Sequence, residues 1–280
     1  MIYLTGDIHG YCTIEKLVNN KHEKKISQGD YLIVCGDFGL PFLPTDTFPE
    51  NDLTDEKLIY SREQYLKWID WLSKRPYTVL FVDGNHDNYR YWSVQEETEW
   101  MGGKINVHPD VPNVFHLKRG EFYTIEESTF FTMGGARSCD IERRTKGFSW
   151  WEEEIPSEVE YQHGIKNLED HNYQVDYIIT HAMSEADYCC LFNKQSSIDP
   201  TEQMLSQIQK RVKYKYWYCG HYHIDLDSPE RKLRIVYSDI AKLGEPKPKP
   251  SIGKRALKKV EIKCKYGIRK SFERLTGKTL

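Results

Sequence analysis

The reading of the fold turns on the opening stretch, Met1-Ile2-Tyr3-Leu4-Thr5-Gly6-Asp7-Ile8-His9-Gly10. Residues 2–5 form a short apolar run of the kind that becomes a buried strand. Glycine follows at once and permits a tight turn, and then come a carboxylate and an imidazole. In an extended segment, residues two apart project to the same side. Asp7 and His9 are therefore expected to leave the strand end together. The same punctuation recurs four times. Run 31–35 is followed by Gly36-Asp37, and run 78–82 leads into Gly84-Asn85-His86-Asp87. Run 177–180 ends in Thr180-His181-Ala182, and run 215–219 in Gly220-His221-Tyr222-His223. Ligands of α/β sheets collect beyond the carboxyl ends of strands, so five such ends describe one site.

The rest of the chain supplies the frame. Further strand candidates are 114–117, 122–125, 129–133 and 233–237. Several are continuous apolar runs, which suits strands covered on both faces. Lys118-Arg119-Gly120-Glu121 reads as the turn of a hairpin. Residues 61–74 place Tyr65, Trp68, Ile69 and Leu72 on one helical face. Ser157 and Glu160 form a capping-box pattern. Asp199-Pro200 followed by Glu202 reads as a helix start, with Glu202 favouring the positive helix end. Strands mixed with helices give an α/β class with mixed sheets. Stretches 38–54 and 148–154 look like insertions, either lids or surface loops.

Composition bounds the function. The 280 residues carry 39 basic and 42 acidic side chains, net −3. Residues 242–280 hold 13 basic and 3 acidic groups, net +10, which leaves −13 on residues 1–241. The chain divides into a body, 1–243, and a Pro/Lys linker with a basic extension, 244–280. No apolar run approaches the ~20 residues of a membrane span, and no secretory signal is evident at the start. Seven cysteines without framework spacing point to a reducing, cytoplasmic compartment. Cys35 and Cys219 are expected to pack as small hydrophobes.

Asp, Asn and neutral His together suit Mn, Fe, Zn or Ni better than Ca or Mg alone. Seven such side chains exceed the need of one ion, and two ions sharing a carboxylate use them economically. Taken singly, each motif has a plainer reading; Gly29-Asp30, for example, is a turn. Arg137, after Met133-Gly134-Gly135-Ala136, is a candidate for phosphate binding because an Arg fork suits phosphate oxygens. Its plainer reading is an ion pair with Asp140 or Glu142. Arg143 and Arg144 read as solvated.

Taken in order, Gly6-Asp7-x-His9, Gly36-Asp37, Gly84-Asn85-His86-Asp87, His181 and Gly220-His221-x-His223 resemble the motif set of the calcineurin-like metallophosphoesterase superfamily. The resemblance spans residues 1 to about 240. It implies a four-layer α/β/β/α sandwich with two mixed sheets. It further implies that Asp7, His9 and His223 bind one divalent ion, that Asn85, His181 and His221 bind a second, and that Asp37 bridges them. Mn is the first expectation, with Fe, Zn or Ni as alternatives. His86 would face the substrate and Asp87 would hold its ring. The implied reaction is phosphoester hydrolysis, by in-line attack of a metal-activated hydroxide between ions about 3.5–4 Å apart. Asp37 is followed by Phe38-Gly39-Leu40 rather than Asp-Arg-Gly, which departs from the protein Ser/Thr phosphatases.

The substrate expectation is a phosphorylated small molecule or nucleotide, mono- or diester. A second reading is a nuclease or nucleic-acid phosphatase that uses the basic extension to bind nucleic acid. A third, a scaffold that has lost catalysis, is opposed by the complete ligand set.

Overall fold

The computed structural model describes residues 1–41 and 56–245. Thirteen strands lie in two sheets among these residues. Their ranges in chain order are β1 Ile2–Thr5, β2 Tyr31–Cys35, β3 Thr78–Val82, β4 Glu97–Trp100, β5 Gly103–His108, β6 Val111–Leu117, β7 Phe122–Ile125, β8 Ser128–Met133, β9 Tyr177–Thr180, β10 Tyr216–Cys219, β11 Leu226–Ser228, β12 Leu233–Ile235 and β13 Ala241–Lys242. The first sheet runs β13-β1-β2-β3-β6-β5-β4 and the second β11-β12-β10-β9-β8-β7. The centre of each is parallel and the edges antiparallel: β1, β2, β3 and β6 run together, as do β8, β9, β10 and β12.

Strand alternation sorts the apolar residues into three layers of packing. On β2, Leu32 and Val34 face the helix Glu56–Ser73, whose Tyr65, Trp68, Ile69 and Leu72 share their cluster. Ile33 and Cys35 face the other way, into a cluster with Phe130, Ile179 and Tyr218 of the second sheet. The second sheet's outer residues, such as Ile178 and Trp217, pack with Leu168, Leu205 and Ile208. Those three belong to the helices Glu158–Asp170 and Pro200–Gln209. Helix, sheet, sheet and helix form the expected four-layer sandwich. Both helix starts read from the sequence are present: Ser157 and Glu160 make the capping box, and Asp199 accepts the Thr201 N–H.

The expected hairpin at Gly120 is absent. β6 belongs to the first sheet and β7 to the second, so the turn is a crossover between sheets. Gly120 has φ 74°, and a Cβ there would fall 2.8 Å from the Gly164 backbone. The turn therefore sits against a helix, not at an open hairpin end. Four strands escape the sequence reading: β4, β5, β11 and β13 are edge or near-edge strands with mixed polar composition. Of stretch 38–54, residues 42–54 lie outside the described residues; Phe38 and Leu40 are buried in the outer core of the first sheet. The extension beyond 245 also lies outside them.

Candidate metal centre

The ends of β1, β2, β3, β9 and β10 meet at one edge of the sandwich, and after β1, β2 and β10 the chain is not extended. Asp7, His9, Asp37, His221 and His223 have φ of 55, 49, 53, 66 and 52°. Left-handed backbone is uncommon for non-glycine residues, and such strain gathers at functional sites. Asp7 and His9 thus converge because the chain coils, not because it alternates. The loops are laced together: the Asp7, His9 and Gly10 N–H groups donate to the carbonyls of Gly36, Asp37 and Phe38.

One ligand atom each from Asp7, His9, Asp37 and His223 lies within 4.8 Å of the others. Asp37 is the hub. Its Oδ2 is 3.0 Å from His9 Nε2 and its Oδ1 is 3.2 Å from His181 Nε2. Its Oδ1 also accepts the His86 N–H at 2.7 Å. Asn85 Oδ1 is 3.2 Å from His181 Nε2. His223 Nε2 is 3.4 Å from Asp7 Oδ1. His221 reaches the centre by its N–H, which donates to the Asp7 carboxylate at 3.0 Å, and its ring centroid is 4.9 Å from that of His181.

The glycines leave room for this hub. A Cβ on Gly84 would fall 2.3 Å from Asp37 Oδ1, and one on Gly36 2.1 Å from His181 Nδ1.

The donor set fits a cation. His9 Nδ1 bonds the Asp7 carbonyl and His181 Nδ1 the Cys35 carbonyl, each at 2.9 Å. A carbonyl fixes the proton on Nδ1, which turns the Nε2 lone pair toward the carboxylates as metal-ligating histidines require. His9 Nε2 is buried and faces the Asp37 carboxylate at 3.0 Å. Burial alone would lower the pKa of His181, but Asp37 overrides it and raises it to about 10. Burial likewise opposes ionisation of Asp37, yet the His181 and His9 rings hold its carboxyl well below the ordinary range. In this site, protons take up the charge that a divalent cation would neutralise.

The calcineurin-like phosphoesterase model matches residues 1–225. The chain belongs to that family. Membership supports phosphoester hydrolysis at a metal-dependent centre. No curated protein matches the chain. Among solved structures it is similar to one from Staphylococcus aureus, provisionally assigned as a 5′-nucleotidase and bound to alpha-ketoglutarate. Identity is 12%, the TM-score is 0.43, and the match covers 93% of this chain and 58% of that one.

Around this cluster, several residues depart from their expected places. Asp87 does not hold the His86 ring: its Oδ1 and Oδ2 accept the Gly39 and Gly84 N–H groups, each at 2.7 Å. It fastens two strand-end loops, and burial, reinforced by Asp37, raises its carboxyl to about 7. Arg137 is half-buried and its N–H donates to Asp199 at 2.9 Å; Asp140, its expected ion-pair partner, lies 2.6 Å from Arg144 Nε instead. Arg144 is not solvated. Its side chain is 7% exposed, and NH1 and NH2 lie 3.3 and 3.2 Å from the two ring nitrogens of His86. Burial and then Arg144 push the His86 ring well below its ordinary pKa, so it stands as a neutral imidazole.

Three supporting residues carried no local sequence signal. Ser138 Oγ accepts the Asn85 amide N–H at 3.1 Å. Lys16 Nζ donates to the carbonyls of Gly6 and Asp7 and lies 4.5 Å from the centroid of the Tyr237 ring. That ring stacks on His223 with centroids 4.8 Å apart.

Proposed function

We propose that the chain is a dinuclear metallophosphoesterase. The observation that carries this reading is the Asp37 carboxylate, which offers Oδ2 beside His9 Nε2 and Oδ1 beside His181 Nε2. A carboxylate flanked on both oxygens by separate imidazoles suits a bridge between two ions. Asp7, His9 and His223 would hold one ion, and Asn85, His181 and His221 the other. Bound there, two divalent cations, Mn first and Fe, Zn or Ni as alternatives, would supply positive charge at the phosphoryl oxygens and acidify a water.

The chain's own residues do the rest. Neutral His86 donates an N–H toward a phosphoryl oxygen, and negative charge arriving there favours a second proton on the ring. Asp87 holds the loops that carry Asp37, Gly39 and His86 in register. The loop 137–156 brings Arg144 against the His86 ring. The substrate class is a phosphorylated small molecule or nucleotide. No helix among the described residues is long and apolar enough to cross a membrane, and the described cysteines are all free, which suits a reducing cytoplasm.

Calorimetric titration of metal-stripped protein with Mn²⁺ tests this reading, alongside hydrolysis of p-nitrophenyl phosphate. Two ions per chain are expected. Asp37→Asn should weaken both sites and abolish turnover. One ion per chain with turnover intact in Asp37→Asn overturns it.

A further inference from the structure

Arg144 has a donor arrangement that its neighbours do not satisfy. A guanidinium carries five N–H donors in a rigid fork. Nε is paired with Asp140, and NH1 donates to the Ser149 carbonyl at 3.0 Å. The NH1–NH2 edge is directed at His86, meeting Nδ1 at 3.3 Å and Nε2 at 3.2 Å. An imidazole ring offers at most one lone-pair nitrogen, and its two nitrogens face divergent directions. The ring therefore accepts one of the two donors at most. Two parallel N–H groups are matched by paired oxygens of a carboxylate or phosphate.

The fork is also fixed in place. The side chain is 93% buried, being 7% exposed. Asp140 and the Ser149 carbonyl hold its far side, so little rotamer freedom remains to be lost on binding. The His86 ring that it meets is 5.0 Å, centroid to centroid, from the His9 ring at the metal centre. A phosphate reaching both His86 and the centre would meet the fork.

We propose that Arg144 binds two non-bridging oxygens of the substrate phosphate and thereby selects dianionic phosphomonoesters over monoanionic diesters. The inference rests on the phosphoesterase reading and names its substrate class. A monoester dianion presents three terminal oxygens and two charges, enough to engage the metal centre and a third cation together. A diester has one oxygen fewer and one charge fewer for the same set.

The test compares wild type, Arg144→Lys and Arg144→Ala, all Mn²⁺-loaded, in three measurements: turnover of p-nitrophenyl phosphate, turnover of bis-p-nitrophenyl phosphate, and calorimetric binding of inorganic phosphate. Arg144→Lys keeps the charge on a long stem and guards against loss of folding. Wild type should prefer the monoester. Arg144→Lys should raise KM for the monoester and weaken phosphate binding by about ten- to a hundredfold, with Mn²⁺ stoichiometry unchanged and diester kcat/KM within a few-fold. An equal loss on both esters, or unchanged phosphate affinity, overturns the role of Arg144 while leaving the phosphoesterase reading intact. Inertness of the wild type toward both esters overturns the phosphoesterase reading itself.

Discussion

The amide nitrogen of Asn85 donates to Ser138 Oγ at 3.1 Å. With the amide nitrogen turned to Ser138, Oδ1 lies toward His181 Nε2, 3.2 Å away. Ser138 is itself held by its N–H, which donates to buried Glu154 at 3.0 Å. The loop that bears Arg144 therefore also orients a proposed metal ligand. Ser138→Ala removes the acceptor and frees the amide to rotate. Loss of such a supporting bond typically costs ten- to a hundredfold in metal affinity. About a tenfold weaker second Mn²⁺ is expected in calorimetry, with the first site unaffected; unchanged affinity at both sites would show that Asn85 needs no such support.

Gly84 has a different job, which is to be absent. A Cβ there would come within 2.3 Å of Asp37 Oδ1 and 2.5 Å of Asp37 N, and neither the backbone nor the buried Asp37 carboxylate can retreat cheaply. Gly84→Ala should lose about 1–3 kcal/mol of stability, as overpacked sites do, and nearly all Mn²⁺-dependent turnover. Gly29→Ala is the control. Gly29 has φ 83° with nothing near its missing Cβ, so it should be strained locally while Mn²⁺ binding and turnover stay at wild-type levels. Melting curves and metal titrations of the pair separate the two cases.

The contrast between these glycines shows what the sequence could convey. Runs such as 31–35 and 78–82 announce strands because a doubly covered strand must be apolar throughout, and the seven ligand-type side chains are legible because they follow those strands. β4, with Glu97, Thr98 and Glu99 exposed, has no such signal; it is an edge. Gly120 looked like a hairpin turn because local chemistry cannot tell a turn within one sheet from a crossover between two. Arg144 read as solvated because Arg143 and Arg144 are adjacent and charged, and only the fold reveals that Arg144 meets His86 some 58 residues away along the chain. Lys16, Ser138 and Tyr237 support the centre through contacts that no spacing rule encodes.

Arg119 is the keystone of a buried network behind the site. Its Nε donates to Asp83 Oδ2 at 2.7 Å, and its terminal nitrogens reach Glu160, the Tyr89 hydroxyl and the Glu153 carbonyl. Burial opposes the charge on Asp83, but Arg119 and His116 hold its carboxyl far below the ordinary range. Removing one partner of a buried pair leaves an uncompensated charge. Arg119→Met should cost about 3–5 kcal/mol in denaturant unfolding. Adding Asp83→Asn should return part of that loss, because the stranded charge is gone. Strict additivity of the two substitutions would mean that the pair is not coupled.

Glu202 should make stability depend on pH in the direction opposite to Asp83. It lies in the first turn of its helix, as expected, and is 3% exposed. Its Oε1 accepts the Tyr222 hydroxyl, and its Oε2 has no hydrogen-bond partner among the described residues. Burial first, and then Asp199 and Glu185, raise its pKa from 4.5 to about 8. The folded chain therefore keeps a proton that the unfolded chain has released. The stabilisation associated with that proton is complete below about 4.5, declines as pH rises, and is gone above about 8. Within that window the slope approaches about 1.4 kcal/mol per pH unit. Glu202→Gln keeps an acceptor for Tyr222 and cannot ionise, so its stability relative to wild type should rise steadily from pH 5 to pH 8. Urea unfolding of both proteins across that range checks the difference directly, with groups common to both cancelling. Parallel curves would place the Glu202 carboxyl at its ordinary value and remove the proton from the account.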